Sequence, residues 1–395
     1  SCIGASVTGG IANNSGGALV RRGPAYTQLA LYARMHADGH LELVNHLGVS
    51  LGGEAEEILR RLDHGKFRDS DIQDGGHASD HEYAAHVRMI DADTPARFNA
   101  DPRRLFEASG CAGKLALFAV RLDTFEAEPA HKLFYIGCND VRALSDIRRH
   151  VLGEFKNLPV LGEYIHRDAF DVAEKYGKDT FLIINYLGTR FLPHLFALKG
   201  RIDGVFGRGF SDRFLQRLSK IFPAHLPERM KAFRDKFEHH PLLEMSGDGV
   251  AEASAYLKSF FTFGVAGAYF ECTESEKKKA LLQRFAVAGA GVRYRAMHPD
   301  AVEDIVAFDI ALRRNDRDWL EVLPESVSSK LVKALYCGHF LCHVFHQDYI
   351  VKKGEDCAAL KQDVIKLLEA RGAKYPAEHN VGHFYKAPAN LAESY

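Results

Sequence analysis

The sequence predicts an α+β protein of two or three domains. The chain has 395 residues, of which 46% are hydrophobic and 26% charged, so it is long enough for more than one core. Apolar runs at Leu29–Met35 and Leu41–Val44 flank an Asp-Gly turn, which predicts a β-hairpin. From Lys132 onward, strand and helix patterns alternate, as is typical of an α+β domain.

Composition excludes several classes of protein. A formal net charge of −1 argues against general nucleic-acid binding. The seven cysteines are odd in number and include no C-x-x-C pair, which favours free thiols in a reducing compartment over a disulfide framework. No apolar run approaches the roughly 18 residues of a spanning helix. Any membrane contact is therefore expected to be peripheral.

The chain begins with a glycine-rich motif, Thr8–Gly23, in which two glycine pairs flank Ala12-Asn13-Asn14-Ser15. Paired glycines let backbone N–H groups approach an anionic, planar cofactor, although a plain glycine-rich loop explains the motif equally well. A second glycine turn, Ser109–Gly113, feeds the apolar strand predicted at Leu115–Leu122. The two stretches in this order resemble the second half of the FAD-binding domain of vanillyl-alcohol-oxidase-type flavoproteins.

Between these motifs we expect a helix at Glu54–Leu62 and a polar run at Asp63–Glu82. His77 and His81 in that run could be metal ligands, but a solvated loop is the better interpretation. Later elements are predicted as strands at Leu133–Ile136 and Val306–Leu312, apolar runs at Phe181–Leu187 and Leu335–Val351, and helices at Val141–Phe155, Val250–Phe261, Lys277–Ala288 and Cys357–Arg371.

Residues 190–236 combine an excess of basic side chains with phenylalanines at helical spacing. Such a segment suits an amphipathic surface on an anionic bilayer, where each basic residue contributes about 1 kcal/mol. A helical pair that packs its phenylalanines on the protein core fits the composition equally well. Composition alone leaves both interpretations open.

The C-terminal region carries histidines and a carboxylate. Glu378 and His379 are adjacent in a turn of small residues, and His339 and His346 lie upstream, seven residues apart. Because histidine titrates near neutrality, such a pair can supply a charge partner or metal ligand beside a general base. Taken alone the pair suggests a capping or loop role, but the upstream histidines favour a functional one.

At this point the whole chain resembles the respiratory FAD-dependent, quinone-dependent D-lactate dehydrogenases, a branch of the vanillyl-alcohol-oxidase-type flavoproteins. The resemblance rests on the strings Cys2–Ser6, Asn13–Gly17, Ala92–Arg97, Phe308–Asp316, Phe345–Gly354 and Ala377–His383.

The resemblance implies three parts. They are an FAD domain at 1–124 completed by 368–395, a cap domain at 125–165, 237–275 and 300–367, and a membrane-binding segment at 166–236 and 276–299. The first half of the FAD domain would precede Ser1, and the basic segment is shorter than expected around 207–209. The resemblance also moves residues 190–236 toward the membrane interpretation.

The activity implied is that of a peripheral flavoenzyme on the cytoplasmic face of the bacterial inner membrane. It would oxidise D-lactate to pyruvate, with the hydride going to FAD and the electrons to quinone, on an anionic phospholipid surface. The FAD contacts implied are Ser6, Gly10, Asn14, Gly16, Gly17 and Leu117. Two alternatives remain: an inactive, FAD-free scaffold fragment, and a dehydrogenase for another small D-2-hydroxy acid.

Oxidising a 2-hydroxy acid requires a hydride acceptor, a base for the hydroxyl proton and a cation for the carboxylate. We predict His379 as the base, with Glu378 beside it. The resemblance assigns the carboxylate to Arg284, with Arg313 and Arg314 as alternates. Arg284 would equally suit the membrane-facing surface.

The resemblance also implies a divalent metal held by His339, His346 and Glu378. This chain departs from the family pattern, because Phe340–Phe345 replaces the glycine turn between the two histidines. Residues seven apart in an ideal strand face opposite sides, so the two imidazoles need a turn or bulge to converge. The metal site therefore remains an open expectation.

Overall fold

The computed structural model describes residues 6–127, 130–207, 209–263 and 265–378, together with Ala389. It confirms the α+β class, with two antiparallel sheets in the order β2-β1-β3 and β7-β4-β6-β5-β9-β10-β8. The strands are β1 (Ala30–Met35), β2 (Leu41–Asn45), β3 (Ala116–Val120), β4 (His131–Cys138), β5 (Leu161–His166), β6 (His239–Ser246), β7 (Gly267–Glu271), β8 (Val302–Ala311), β9 (Leu331–His339) and β10 (Val344–Lys352).

Helices flank both sheets within the described residues. They are α1 (Val7–Ala12), α2 (Ala55–Asp63), α3 (Tyr83–Val87), α4 (Val141–Gly153), α5 (Arg167–Tyr176), α6 (Lys178–Leu187), α7 (Leu192–Phe206), α8 (Phe210–Ser219), α9 (Glu228–Lys236), α10 (Gly249–Thr262), α11 (Glu274–Met297), α12 (Glu325–Ser328) and α13 (Cys357–Ala370).

The predicted hairpin forms between β1 and β2. Met35 pairs with Leu41, and Gly39 adopts a φ of +84°, which favours glycine. The backbone N–H of His40 donates to Asp38 Oδ1, so the Asp-Gly turn closes as the sequence indicates. Strand β3 then pairs with the other edge of β1 and completes the small sheet.

The seven-stranded sheet is buried on both faces, which is why several of its strands are continuous apolar runs. On β4, Phe134 and Ile136 join the core formed with α4, α10 and α13, whereas Leu133 and Tyr135 join the core formed with α5, α6, α9 and α11. The sheet is therefore the middle layer between two sets of helices.

Several elements differ from the sequence prediction. The sequence does not predict strands β5, β6 and β7, and the run Phe181–Leu187 forms all but the first three residues of helix α6. The apolar stretch 335–351 is not one element but most of the β9–β10 hairpin. Helix α11 is longer than predicted at both ends: a Thr273/Glu276 capping box starts it earlier, and it continues beyond Ala288 to Met297.

Helices α7 and α8 present large apolar side chains to solvent. On α8 the polar Ser211, Asp212 and Gln216 are buried, while Phe214 is 59% exposed and Ile221, just beyond the helix, is 79% exposed. For α7 and α8 this inverted pattern contradicts the interpretation in which the phenylalanines pack on the core, whereas Phe233 on α9 does pack there. Each described helix is nevertheless too short or too polar to cross a bilayer.

Candidate active site

A cavity of about 690 Å³ lies on one face of the seven-stranded sheet, beneath α11. Side chains on one face of a strand recur every second residue. The sheet face of the cavity is accordingly formed by Leu161 and Glu163 on β5, Ala307 and Asp309 on β8, Cys337 and His339 on β9, and His346 and Asp348 on β10. Ionisable side chains from four strands therefore meet in this cavity.

The β9–β10 turn brings the two histidines together. A 3₁₀ turn at Phe340–Cys342 and a positive φ of 55° at His343 reverse the chain. In the resulting register His346 lies opposite Cys337, two residues before His339 on the same face. The two imidazoles can therefore converge, because the chain between the histidines makes a tight turn and is not one continuous strand.

His339, His346 and Glu378 form the one candidate metal cluster found among the described residues, with ligand atoms within 4.8 Å of one another. Nε2 of His339 and of His346 lie 3.3 Å and 3.8 Å from Glu378 Oε2. Each ring has a carboxylate at its other nitrogen: Nδ1 of His339 is 2.6 Å from Glu163, and Nδ1 of His346 is 3.5 Å from Asp309. Carboxylates behind ligating histidines are the usual outer partners of a protein-bound metal.

The two imidazoles differ in protonation because their surroundings differ. Burial alone would lower the pKa of His339, but Glu163 and Glu378 outweigh it and raise that pKa to about 10. Burial lowers the pKa of His346 to about 4, although Asp309 and Glu378 act in the opposite direction. In the absence of a metal, His339 is thus a cation between two carboxylates and His346 is neutral at pH 7.

Arg284 lies inside the cavity, not on the membrane-facing surface. Its Nε pairs with Glu163 Oε2 at 2.5 Å, and its side chain is only 12% exposed. Burial would raise the pKa of Glu163, but Arg284 and His339 lower it to about 2. The ion pair with Glu163 uses Nε of Arg284 and does not use its two Nη groups.

Arg97 is a site residue that the sequence analysis did not identify as one. It forms a buried ion pair with Glu378, and its Nη2 donates to the carbonyl oxygen of Gly17 at 2.9 Å. A Cβ on Gly16 would lie 1.0 Å from Arg97 Nη1, so this glycine leaves the space that the guanidinium fills. Burial would raise the pKa of Glu378, but Arg97 and His339 hold it well below its usual range. The signal available in the sequence is the string Ala92–Arg97, which ends at this arginine and contributes to the family resemblance.

Comparison with known proteins identifies the family. Residues 133–395 match the family described as D-lactate dehydrogenase, membrane binding. The chain is 60% identical over 402 residues to the quinone-dependent D-lactate dehydrogenase of Escherichia coli, covering 100% of this chain and 70% of that protein. It is 57% identical to that of Haemophilus influenzae, covering 100% of this chain and 71% of the relative. The chain belongs to the quinone-dependent D-lactate dehydrogenase family.

The chain also has similarity to two solved structures at 10% identity. One is 4-ethylphenol oxidase from Gulosibacter chungangensis in an isoeugenol complex, with a TM-score of 0.45, covering 95% of this chain and 62% of that one. The other is p-cresol methylhydroxylase with substrate bound, with a TM-score of 0.41 and the same coverage.

The predicted FAD positions lie at Ser6, in the glycine motif and on β3, outside the lining of the large cavity. Ser6 caps α1 by accepting from Gly9 N, and Gly10 is within that helix. The Nδ2 of buried Asn14 donates to the carbonyls of Asn99 and Arg104, and Leu117 packs in the small-sheet core. Ala18, the residue after Gly17, lines the cavity.

Of the remaining candidates, His379 lies outside the described residues, directly after Glu378. Arg313 pairs with Asp93 and Asp316, and Arg314 donates to Thr94, so neither alternate arginine lines the cavity.

The structure fits a solvated loop for the polar run Asp63–Glu82, which contains His77 and His81. His77 is exposed, and His81 lies 3.1 Å from Asp123 on the surface.

Proposed function

We propose that this protein oxidises D-lactate to pyruvate as a peripheral, FAD-dependent membrane enzyme and passes the electrons to a membrane quinone. The observation that carries the proposal is that Arg284 and the His339, His346 and Glu378 cluster line one cavity, in a chain that belongs to the quinone-dependent D-lactate dehydrogenase family. A carboxylate-binding cation and proton-handling groups therefore meet at one place.

Substrate binding is assigned to Arg284. Its planar guanidinium, held through Nε by Glu163, offers its Nη groups to the lactate carboxylate. The low pKa of Glu163 keeps its carboxylate ionised, so the pair holds its geometry throughout the pH range of the reaction. Arg284 thus positions the substrate and contributes mainly to the ground-state complex.

Proton removal is assigned to His379. Its neighbour Glu378 is fixed by four contacts: the ion pair with Arg97, the approach of His339, a backbone N–H donated to Asp309 Oδ2 at 2.7 Å, and a carbonyl accepting from Ser15 Oγ at 2.7 Å. His379 is the next residue in the sequence after Glu378. His379 would take the hydroxyl proton as the C–H bond breaks.

The residues proposed to hold FAD are Ser6, Gly10, Asn14, Gly16, Gly17 and Leu117. Two observations fit a ligand at this motif: a Cβ on Gly17 would meet no atom within 4 Å, and Asn14 Oδ1 is buried without a hydrogen bond in the described part of the chain. When bound, the flavin supplies the hydride acceptor.

The residues proposed to hold a divalent metal are His339, His346 and Glu378. Two imidazole nitrogens and one carboxylate oxygen suit a divalent transition metal, and the carboxylates of Glu163 and Asp309 behind the rings fit that use. When bound, the metal polarises the substrate hydroxyl and favours its ionisation.

Membrane attachment is assigned to the segment 166–236 with 276–299. Exposed apolar side chains and basic groups share the surface of α8: Phe214, Arg217 and Leu218 are all exposed. Such a surface suits the anionic headgroup region of a bilayer, where basic residues are attracted and phenylalanines are buried. We assign the protein to the cytoplasmic face of the bacterial inner membrane, and the FAD and cap domains to the ranges predicted from the sequence.

The test is a visible spectrum of the purified full-length protein. Oxidised flavin absorbs at about 380 and 450 nm, and D-lactate should bleach the longer-wavelength band whereas L-lactate should not. Protein without flavin bands, or bands that D-lactate leaves unchanged, would refute the proposal. Reduction by other small D-2-hydroxy acids in preference to D-lactate would reassign the substrate.

A further inference from the structure

The cavity extends well beyond the groups assigned to lactate. Its volume of about 690 Å³ is within the range of about 300–1,000 Å³ found for sites of drug-sized ligands. A three-carbon acid fills only a small part of such a space. The inner end is lined by the histidines, Arg284 and Glu378, while the outer end is lined by apolar side chains of α7 and α11.

One face of α11 connects the two ends. Leu281, Arg284, Phe285, Ala288, Gly289 and Val292 all line the cavity. These positions recur three or four residues apart, as one helix face requires. At a rise of about 1.5 Å per residue, the eight steps from Arg284 to Val292 span about 12 Å. The cavity is thus a passage along this helix from the charged site to the outer surface.

The outer end opens among exposed apolar side chains. Val292 is 48% exposed and Phe196 on α7 is 45% exposed, and both line the cavity. Phe206 at the end of α7 is also exposed, and Phe214 lies on neighbouring α8. The passage therefore opens within the surface assigned to the membrane.

Small residues keep the passage wide at its outer end. Ala288 and Gly289 are exposed residues on the cavity-lining face of α11. A Cβ added to Gly289 would meet no atom within 4 Å. A larger side chain at this position would therefore enter the passage without displacing the protein around it.

A charged network stands in the wall of this outer half. Arg293 Nε and Lys199 Nζ donate to Asp212 Oδ1 at 2.9 Å and 2.7 Å, and Arg293 Nη2 donates to Asp179 at 2.8 Å. The remaining Nη1 of Arg293, whose side chain is only 8% exposed, is buried without a hydrogen bond in the described part of the chain. An apolar passage with a cationic donor in its wall suits a flat, apolar ring that carries carbonyl oxygens.

We propose that a membrane quinone enters the protein through this passage, between α7 and α11, with its ring lying against Phe285 and Gly289 and its carbonyl oxygens toward Lys199 and Arg293. The inference rests on the proposed function, because D-lactate is the electron source: D-lactate plus quinone yields pyruvate plus quinol. Lactate loses two electrons and two protons, and the quinone gains the same. The lipid tail remains at the exposed apolar rim.

The experiment compares Gly289→Leu with Gly204→Leu in the flavin-loaded, full-length protein. Gly204 is an exposed glycine of α7 whose Cβ would also meet no atom within 4 Å, but it does not line the cavity. D-lactate oxidation is measured with a short-chain ubiquinone and with a soluble dye. We expect the quinone-to-dye rate ratio to fall about tenfold in Gly289→Leu, equivalent to about 1.4 kcal/mol, because the leucine takes space needed by the quinone ring, and to stay at the parental value in Gly204→Leu.

A parental ratio in Gly289→Leu, or an equal fall in both variants, would overturn the passage while leaving D-lactate oxidation established. If the parental protein does not oxidise D-lactate with either acceptor, the proposed function is refuted instead. A short-chain azidoquinone gives a readout independent of turnover. Photolabelling should mark peptides containing 281–292 and be reduced in Gly289→Leu, and labelling confined to other peptides would also overturn the inference.

Discussion

Glu378 is the residue at which the separate parts of the site meet. Its carboxylate contacts Arg97, which is held against the glycine motif, and His339 and His346 of the large sheet. The spacing of the two histidines and the adjacent Glu and His could be recognised in the sequence. The roles of Arg97 and Glu163 could not, because each is defined by a partner more than 100 residues away in the chain.

His379 and Arg284 should affect different kinetic constants if their roles are those proposed. His379→Gln should lower the rate of flavin reduction by roughly 10²-fold, since a general base acts in the transition state, and the loss should appear in kcat. Arg284→Lys, which retains the charge opposite Glu163 but loses the two-pronged geometry, should act mainly by raising KM for D-lactate. Steady-state assays give kcat and KM, and stopped-flow reduction of the bound flavin gives the rate of the chemical step.

The comparison has its own control. Arg313→Lys alters an arginine that pairs with Asp93 and does not line the cavity, so both constants should stay near the parental values. Flavin reduction at parental speed in His379→Gln would remove His379 from the mechanism. The candidates for the general base would then be His346, which lines the cavity, and His383, which is outside the described residues.

At the scale of elements, helix α8 is informative because its polarity is inverted. Its polar residues face the protein and its phenylalanines face outward with Arg217 and, just beyond its end, Lys220. Replacing Arg213, Arg217 and Lys220 together by Glu should therefore release the protein from anionic vesicles, since each basic group near the surface contributes about 1 kcal/mol. Sedimentation with the vesicles at low salt measures binding, and dye-linked D-lactate oxidation should be unchanged.

A matched triple variant isolates position from total charge. Arg60, Lys66 and Arg68 are exposed in and after α2, and their replacement by Glu changes the net charge by the same amount. This variant should still sediment with the vesicles. Equal release of both triple variants would show that overall charge, and not the surface of α8, governs membrane binding.

The prediction of elements succeeded where local signals decide the structure. The Asp38-Gly39 turn specified a hairpin, and the long apolar periodicities of α10 and α13 specified helices. The prediction missed β6 because the strand begins with His239, His240 and Pro241, which are not typical strand residues. The strand is nevertheless fully buried, between β4 and β5. The Phe340–Phe345 stretch failed in the same way, because an apolar run does not distinguish a strand from a buried turn.

At the scale of the whole molecule, the site depends on bringing together distant parts of the chain. The Arg97–Glu378 pair joins the loop before β3 to the segment after α13, and an isolated bridge joins Pro95 to Arg313 beside it. The side chains of the ion pair are 4% and 3% exposed. Removing Arg97 would leave Glu378 ion-paired, among the described residues, only with His339, which already shares its charge with Glu163, and breaking a buried pair costs about 3–5 kcal/mol.

Arg97→Ala should therefore lower the melting temperature of the protein by several degrees, measured by circular dichroism. Arg317→Ala removes one partner of the Arg317–Asp146 pair, in which both side chains are 60% exposed, and should leave it nearly unchanged. The double variant Arg97→Ala with Glu378→Gln removes the stranded charge and should regain part of the lost stability. If Arg97→Ala and Arg317→Ala have the same melting temperature, the buried pair does not hold the loop before β3 to the segment after α13. If the double variant is no more stable than Arg97→Ala, the loss comes from the cavity left by the arginine and not from the unpaired carboxylate.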